Sequence, residues 1–458
     1  MSQQALYIGS KLKKLRRDRN INQKNLALEL GISASYLNLI ERNRRGLTAN
    51  LLLKLADIFD INVNELSQNT DVQLTNDLSE LLADDIFADF AITNQDITDL
   101  TAENPEIGKA MIRLFDKYNM RQKQNQKLIN QFITGVDGEA AQFDTEASPE
   151  YMAELVSDFI QSQSNYFAVL EQAAERVRLD VDLMGEGLFH GLKAFAVNSF
   201  AIRTIIAELP DDESAQFNVE TGVLNISNFS PEQSQIFCLA EHIGLYAAKN
   251  EIDDIIEGAN FEDERINNYL EQVLSRYFAA CIMMPYDGFL KKAKQTRYDI
   301  DLLCHYFNVS FEQACHRLTS MQKPGAKAIP FHFVRTDIAG HISKRFSLSG
   351  IKIPRYGTAC PRWNIYAAFM QPGRINVQLS ETPDGQVYFC IARTITKGVR
   401  RFGKPLRHFS IGLGCKYIHA KSMVYSDSVD LKDAGQLVRI GATCPVCQRH
   451  NCAIHNIQ

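Results

Sequence analysis

Apolar residues in the first sixty positions fall at helical spacing in short groups. Leu26, Ala27 and Leu30 give one short helix an apolar face, and Leu37 with Ile40 does the same for a second. Gly31 between them supplies the backbone freedom a tight interhelical turn needs, and Ser33 is placed to cap the second helix. Leu51, Leu52, Leu55, Ile58 and Phe59 form a further stripe, and Asn64-Glu65-Leu66 begins another turn. Residues 105 to 134 predict a long polar helix with Ile107, Met111, Leu114, Phe115 and Tyr118 as its apolar positions, either a dimer arm or a spacer. The segment 135–150 has little apolar content and predicts a linker. A new apolar pattern starts at Tyr151. Residues 193–230 alternate in a way that predicts a short sheet, and helical periodicity resumes from Pro231 to about Leu318. Beyond residue 346 the character turns to strands, with Pro383-Asp384-Gly385 as a hairpin signal.

This pattern predicts a multidomain fold. An all-α helix-turn-helix unit (1–68) is followed by an acidic helical connector and linker (69–150). An α+β sensing domain (151–345) and a β-containing, cysteine-rich C-terminal domain (346–458) complete it. The outer face of the second helix, with Ala34, Ser35, Asn38 and Leu39, is where a recognition helix meets base edges. Gln23 and Ser33 join it as candidate DNA contacts. Basic runs bracket the motif, with Lys11, Lys13, Lys14, Arg16, Arg17 and Arg19 before it and Arg42, Arg44 and Arg45 after it, as phosphate contacts on both sides of a groove require. The arrangement resembles the Xre/Cro class of phage-repressor-like domains, and it implies operator DNA as partner and a homodimer to read a two-fold site. From Asp71 to Glu106 there are ten acidic residues and no Lys or Arg, so any DNA-facing charge is confined to the chain's start. That segment reads as a solvated connector, with competition against DNA for the basic face as the alternative.

Composition narrows the class. The 458 residues are 45% hydrophobic and 22% charged, as in a soluble globular protein. No apolar run approaches the roughly 18 residues a membrane span needs. The N-terminus lacks the apolar core and cleavage site of a secretory signal. A cytoplasmic protein without a membrane partner is expected, its ten cysteines serving as thiols or metal ligands.

Residues 236–246, IFCLAEHIGLY, sit where an ImmA/IrrE-like metallopeptidase domain would carry its zinc helix. That chemistry needs two His four apart with a Glu between them. The three positions hold Glu241, His242 and Leu245, and Leu274 and Ser275 occupy the places of a downstream ligand. The metal, the base and the polarised water are lost together, so no catalytic residue is expected and His242 reads as a core or pocket histidine.

The stretches LSRYFAACIMMPYDGFL, RYDIDLLCHYFNVSFEQACHRLTSMQKPG, PFHFVRTDIAGHISKRFS and CPRWNIYAAFMQPGRI resemble the short-chain fatty-acyl transcriptional regulator (ScfR) family. The resemblance spans nearly the whole chain. It implies an Xre-type domain, a degenerate ImmA/IrrE-like domain and a cysteine-bearing C-terminal region. The function it implies is a bacterial regulator of short-chain fatty-acid, propionate or glyoxylate-type metabolism that senses an acyl-coenzyme A (acyl-CoA). A peptidase-type regulator that cleaves a repressor, and a ligand-independent DNA binder, are the rival readings.

Coenzyme A carries phosphates and an adenine, so its pocket needs cationic forks and an aromatic platform. Arg276-Tyr277-Phe278 and Arg297-Tyr298 pair those types, with Tyr166, Lys193 and Arg203 as further candidates. Cys444, Cys447 and Cys452 form a C-x2-C-x4-C run suited to one metal centre. Cys415 is the expected fourth ligand, with Cys360, His450 and His455 as alternatives. Spacing admits structural zinc or an iron-sulfur cluster, and the family resemblance tilts toward a 4Fe-4S cluster. Cys238, Cys281, Cys304 and Cys315 lie in apolar helices and read as core.

Overall fold

The computed structural model describes residues 12–452 apart from 13–14, 17–18, 20, 42–44, 60–69, 88, 135–148, 182–186, 211–212, 399–405, 445–446, 448 and 450–451. Two compact units emerge: residues 1–143 with 354–356, and residues 144–353 with 357–458.

The first unit opens with α1 (Gln23–Leu30), α2 (Ala34–Glu41) and α3 (Ala49–Phe59). Asn22 caps α1 by accepting from the Asn25 amide, and Gly31 closes it in the left-handed conformation at φ 71°. Leu26, Leu30, Leu37, Ile40, Leu55 and Phe59 are buried together, so the predicted apolar faces meet in one small core. A second cluster joins α4 (Thr70–Leu82), α5 (Asn94–Glu103) and α6 (Pro105–Thr134) through Leu74, Leu78, Leu81, Ile97, Ile112 and Phe115. The predicted long helix has the expected bounds, and the linker expected at 135–150 lies almost wholly outside the described residues. Three residues from far downstream complete this unit. Arg355 pairs with Asp116 at 3.0 Å and Asp77 at 3.5 Å, and Glu80 accepts the backbone N–H groups of Arg355 and Tyr356. The Tyr356 ring packs edge-on against Phe115. Acidic residues of the connector thus serve as a socket for one buried cation.

The second unit begins with α7 (Pro149–Ser162), α8 (Ala168–Asp180) and α9 (Leu188–Phe200). A three-stranded sheet follows, in which β3 (Val223–Ser227) lies between parallel β1 (Arg203–Ala207) and antiparallel β2 (Ala215–Asn218). The short sheet is present as predicted, although residues 193–200 are helical. Six helices come next: α10 (Glu232–Ala247), α11 (Lys249–Ala259), α12 (Glu264–Met283), α13 (Tyr286–Gln295), α14 (Ile300–Phe307) and α15 (Phe311–Thr319). Helices α10 and α12 approach closely because Gly244 leaves room for the Phe278 ring; a Cβ there would lie 2.8 Å from it.

The chain then builds a six-stranded sheet of order β5-β4-β8-β7-β6-β9, from β4 (His332–Asp337), β5 (Ile342–Ser347), β6 (Asn376–Glu381), β7 (Val387–Lys397), β8 (Arg407–Lys416) and β9 (Leu437–Arg439). The sheet starts at His332, so the boundary expected at 345/346 falls inside a strand. The anticipated hairpin joins β6 to β7, with Gly385 at φ 77°. One core runs from the helices into the sheet, shared by Leu239, Leu270, Phe278, Phe289, Phe331 and Phe389. Among the described residues no helix is long and apolar enough to cross a membrane.

Candidate DNA-binding face and effector site

Helix α2 presents what a recognition helix requires. The Ser33 hydroxyl accepts from the Tyr36 amide and so caps the start of the helix. Leu37 and Ile40 are buried, whereas Ala34, Ser35 and Leu39 are exposed and Asn38 half-buried. Arg45 is exposed and lies over the Tyr36 ring at 5.2 Å. Arg42 and Arg44 lie outside the described residues. Gln23 points elsewhere: its amide donates to Glu41, which also takes the Arg16 guanidinium at 2.6 Å. Arg19 donates to the Ile58 and Phe59 carbonyls, closing the helical core. Two residues of the basic run are therefore spent on holding the unit together.

The site that could have held zinc carries a different charge arrangement. Glu241 on α10 accepts from Arg276 Nε on α12 at 2.9 Å, so a guanidinium supplies positive charge beside the carboxylate. Burial pushes the Glu241 carboxyl up, and Arg276 pulls against it. His242 packs at 4.3 Å against Phe217, and burial pushes its pKa down, favouring neutral imidazole. Its Nε2 is buried without a hydrogen-bond partner. Leu245 offers no ligand, and among the described residues no three His, Cys, Asp or Glu side chains converge on a metal position.

The effector candidates separate into distinct environments. Arg276 is half-exposed beside Glu241, but Phe278 is wholly buried and packs under Gly244, so it belongs to the core. Arg297 is engaged bidentately by Asp427 at 2.7 and 2.8 Å and also donates to the Lys421 and Met423 carbonyls. Tyr298 is buried edge-on against Phe331. Both are structural clamps in this fold. Lys193 lies near the Phe189 ring, and Arg203 is exposed at the start of β1.

Tyr277 and Tyr166 lead to an arrangement that sequence spacing does not signal. Arg317, fully buried, holds Glu171 bidentately at 2.7 and 2.8 Å and donates to the Met284 carbonyl, Cys281 Sγ and Ser320 Oγ. The Tyr277 hydroxyl donates to the same Glu171. Burial alone would raise the Glu171 carboxyl, but the guanidinium holds it below its ordinary value. Tyr166 packs edge-on against Tyr286 at the margin of this cluster.

In the cysteine region, Cys360 and not Cys415 keeps company with the terminal run. Burial raises the Cys444 thiol, and so do Cys360, Cys447 and Cys452, whose charges it feels. The Cys360 amide donates to the Ala442 carbonyl, and Gly441 lets Cys447 Sγ lie where a Cβ would be, 2.8 Å away. Cys415 is fully buried instead, 3.8 Å from the Met423 sulfur, with Cys390 as the thiol that acts on it. Among the described residues, these thiols included, no three His, Cys, Asp or Glu side chains group as metal ligands, so the expected cysteine centre is not assembled there. His450 and His455 lie outside the described residues.

Three family models match separate parts of the chain. Residues 9–72 match a helix-turn-helix domain, 197–319 the IrrE N-terminal-like domain, and 320–457 the short-chain fatty acyl coenzyme A regulator C-terminal domain. The HTH-type transcriptional regulator PrpR of Mycobacterium tuberculosis is 34% identical over 98% of this chain and 90% of its own length. The propionyl-CoA carboxylase regulator of Cereibacter sphaeroides is 32% identical over 98% and 94%, and RamB of M. tuberculosis is 32% identical over 97% and 93%. A solved M. tuberculosis transcriptional regulator superposes on 66% of this chain and 92% of its own, with TM-score 0.63 and 37% identity. The chain belongs to the short-chain fatty acyl coenzyme A regulators, a family of helix-turn-helix transcriptional regulators with an IrrE-like middle domain.

Proposed function

We propose that this protein is a cytoplasmic, homodimeric transcription factor whose affinity for a two-fold operator is set by a short-chain acyl-CoA. The observation that carries the reading is the outer face of α2, where Ala34, Ser35, Asn38 and Leu39 remain outside the helical core. One recognition helix reads too few bases for genomic specificity, so two copies are needed. The relatives named for propionyl-CoA metabolism and the C-terminal family support the effector class. Arg276 is the retained candidate for an effector phosphate, since it is half-exposed and stands beside Glu241 on the helix where the zinc motif would lie. Loss of both zinc histidines, with a guanidinium beside Glu241, supports a binding role and not peptide hydrolysis.

An effector changes operator affinity only by its unequal affinity for the competent and incompetent states. Titrating full-length protein on operator DNA with acetyl-, propionyl- and butyryl-CoA should shift the Kd by about 5- to 150-fold for the cognate chain. Arg276→Ala should abolish that shift and leave effector-free DNA binding intact. No shift with any thioester sinks the sensor reading and leaves the DNA-binding one.

The C-x2-C-x4-C run of Cys444, Cys447 and Cys452, with the Cys360 amide bonded beside it at Ala442, supports a metal centre closed by Cys360, although among the described residues these side chains are not gathered into a ligand group. Zinc and an iron-sulfur cluster both suit this donor set. Either would tie the chain's end to the loop bearing Cys360. Anaerobic purification should yield bound metal that Cys360→Ser removes and Cys415→Ser retains. Equal metal content in both variants overturns the assignment.

A further inference from the structure

Tyr277, Phe278 and Tyr298 are buried in the core, so none of these rings beside Arg276 and Arg297 can serve coenzyme A as an aromatic platform. Accessible rings gather instead around His242. Phe217 of β2 lies 4.3 Å from the imidazole between ring centroids, and Tyr246, one turn along α10, lies 5.4 Å from it. Phe200, which ends α9, packs against Tyr246 at 5.5 Å. Phe200 and Phe217 are half-buried and Tyr246 is 43% exposed, so this cluster of rings from three elements is open to solution on one side.

His242 brings an unmatched polar group to that cluster. Its Nε2 is buried, and among the described residues no group bonds to it. Such an atom is costly, because burial removes its water, and buried polar groups of folded proteins nearly always have partners. The buried His332 shows the usual solution: its Nδ1 pairs with Ser349 Oγ at 2.8 Å.

We propose that Phe200, Phe217 and Tyr246 form the platform on which the adenine of the acyl-CoA effector stacks, and that His242 Nε2 hydrogen-bonds the edge of that base. The proposal rests on the sensor reading above and names where the nucleotide end of its ligand sits.

The chemistry selects a purine. A base has two apolar π faces, which suit rings that are partly exposed. Its edge carries ring-nitrogen acceptors and an exocyclic amine, so Nε2 finds a match whether or not it bears the imidazole proton. A carboxylate or a phosphate calls for a charged donor, and burial favours neutral His242 instead. The charged group stands next door: Glu241, adjacent to His242 on α10, holds the half-exposed Arg276 guanidinium at 2.9 Å. In coenzyme A the base and its phosphates are joined through one ribose, so a platform beside a guanidinium matches the ligand's own layout.

The test uses the full chain in two arms. The best-bound of acetyl-, propionyl- and butyryl-CoA is compared with the same acyl thioester of phosphopantetheine, which lacks the adenosine part. Wild type should prefer the complete ligand by about 10-fold or more, the scale of one stacked base. Tyr246→Ala and His242→Leu should each erase most of that preference. Their affinity for the phosphopantetheine thioester should match wild type, which also shows that each variant is folded. In the second arm the 8-azidoadenine form of the same ligand is photolysed on wild type, and the labelled peptides should contain Phe217 or residues 242–246. Equal affinity of wild type for the two thioesters, a preference that both variants keep, or labels confined to other segments overturns the platform while the sensor reading stands. Failure of all three acyl-CoA thioesters to bind overturns both.

Discussion

At Glu312 three cations converge on one buried carboxylate: Lys397 at 2.5 Å, Arg335 at 2.8 Å and Lys344 at 3.2 Å. Burial alone would raise its carboxyl, but Lys344, Lys397 and Arg335 outweigh it and hold the pKa at about 2. A carboxyl more acidic in the folded than in the unfolded chain contributes stability that is complete above the unfolded pKa near 4.5 and is lost as pH falls toward 2. At about 1.4 kcal/mol for each tenfold change in proton affinity, that contribution is roughly 3 kcal/mol. Urea titrations should show Glu312→Gln less stable than wild type by an amount of this order at pH 7. The gap should narrow steadily below pH 4.5, and a constant gap would refute the assignment. Residues of this kind were the least legible in the sequence. Arg317 meets Glu171 across 146 positions, and the Cys360 amide meets the Ala442 carbonyl across more than eighty, because tertiary folding sets both pairings. Aromatic-basic neighbours misled in the opposite direction. Phe278 and Tyr298 sit beside arginines in sequence, yet their rings are buried as core while the guanidinium groups turn to Glu241 and Asp427.

Helices and hairpins were far more legible. The apolar period from Leu26 to Phe59, the turn at Gly31, the cap at Ser33 and the bounds of α6 all follow from local rules that need no distant partner. The degenerate zinc-helix motif was equally readable, since its two missing histidines are a matter of spacing along one face. What local rules cannot supply is how near two helices come, and Gly244 decides that for α10 and α12. Gly244→Ala should force the Phe278 ring aside and cost about 1–3 kcal/mol of unfolding free energy. Adding Phe278→Leu should recover part of the loss, because it removes the obstructing ring. A Gly244→Ala protein as stable as wild type would show that the helices can separate freely.

On the scale of the whole molecule, the notable disposition is that of the acidic connector. Its lack of Lys and Arg from Asp71 to Glu106 suggested a solvated spacer, yet Asp77 and Glu80 grip a segment nearly three hundred residues away. A charge pattern read along the chain cannot reveal a counter-ion supplied from so far. The consequence concerns modularity. The first unit is discontinuous in the gene: the polypeptide leaves it near residue 143, returns for Pro354–Tyr356, and leaves again. A fragment ending at residue 143 would keep the recognition helix but lack the guanidinium that neutralises Asp77 and Asp116. Removing one partner of such a buried pair typically costs 3–5 kcal/mol. Such a fragment should melt well below the corresponding unit in the intact protein, and Asp77→Asn with Asp116→Asn should restore much of the difference. A fragment as stable as the intact unit would mean that the socket needs no plug. Gene fusion that exchanges one family member's N-terminal half for another's would carry the socket without its matched arginine. Such chimaeras should inherit a defect wherever the two parents differ at position 355 or around it.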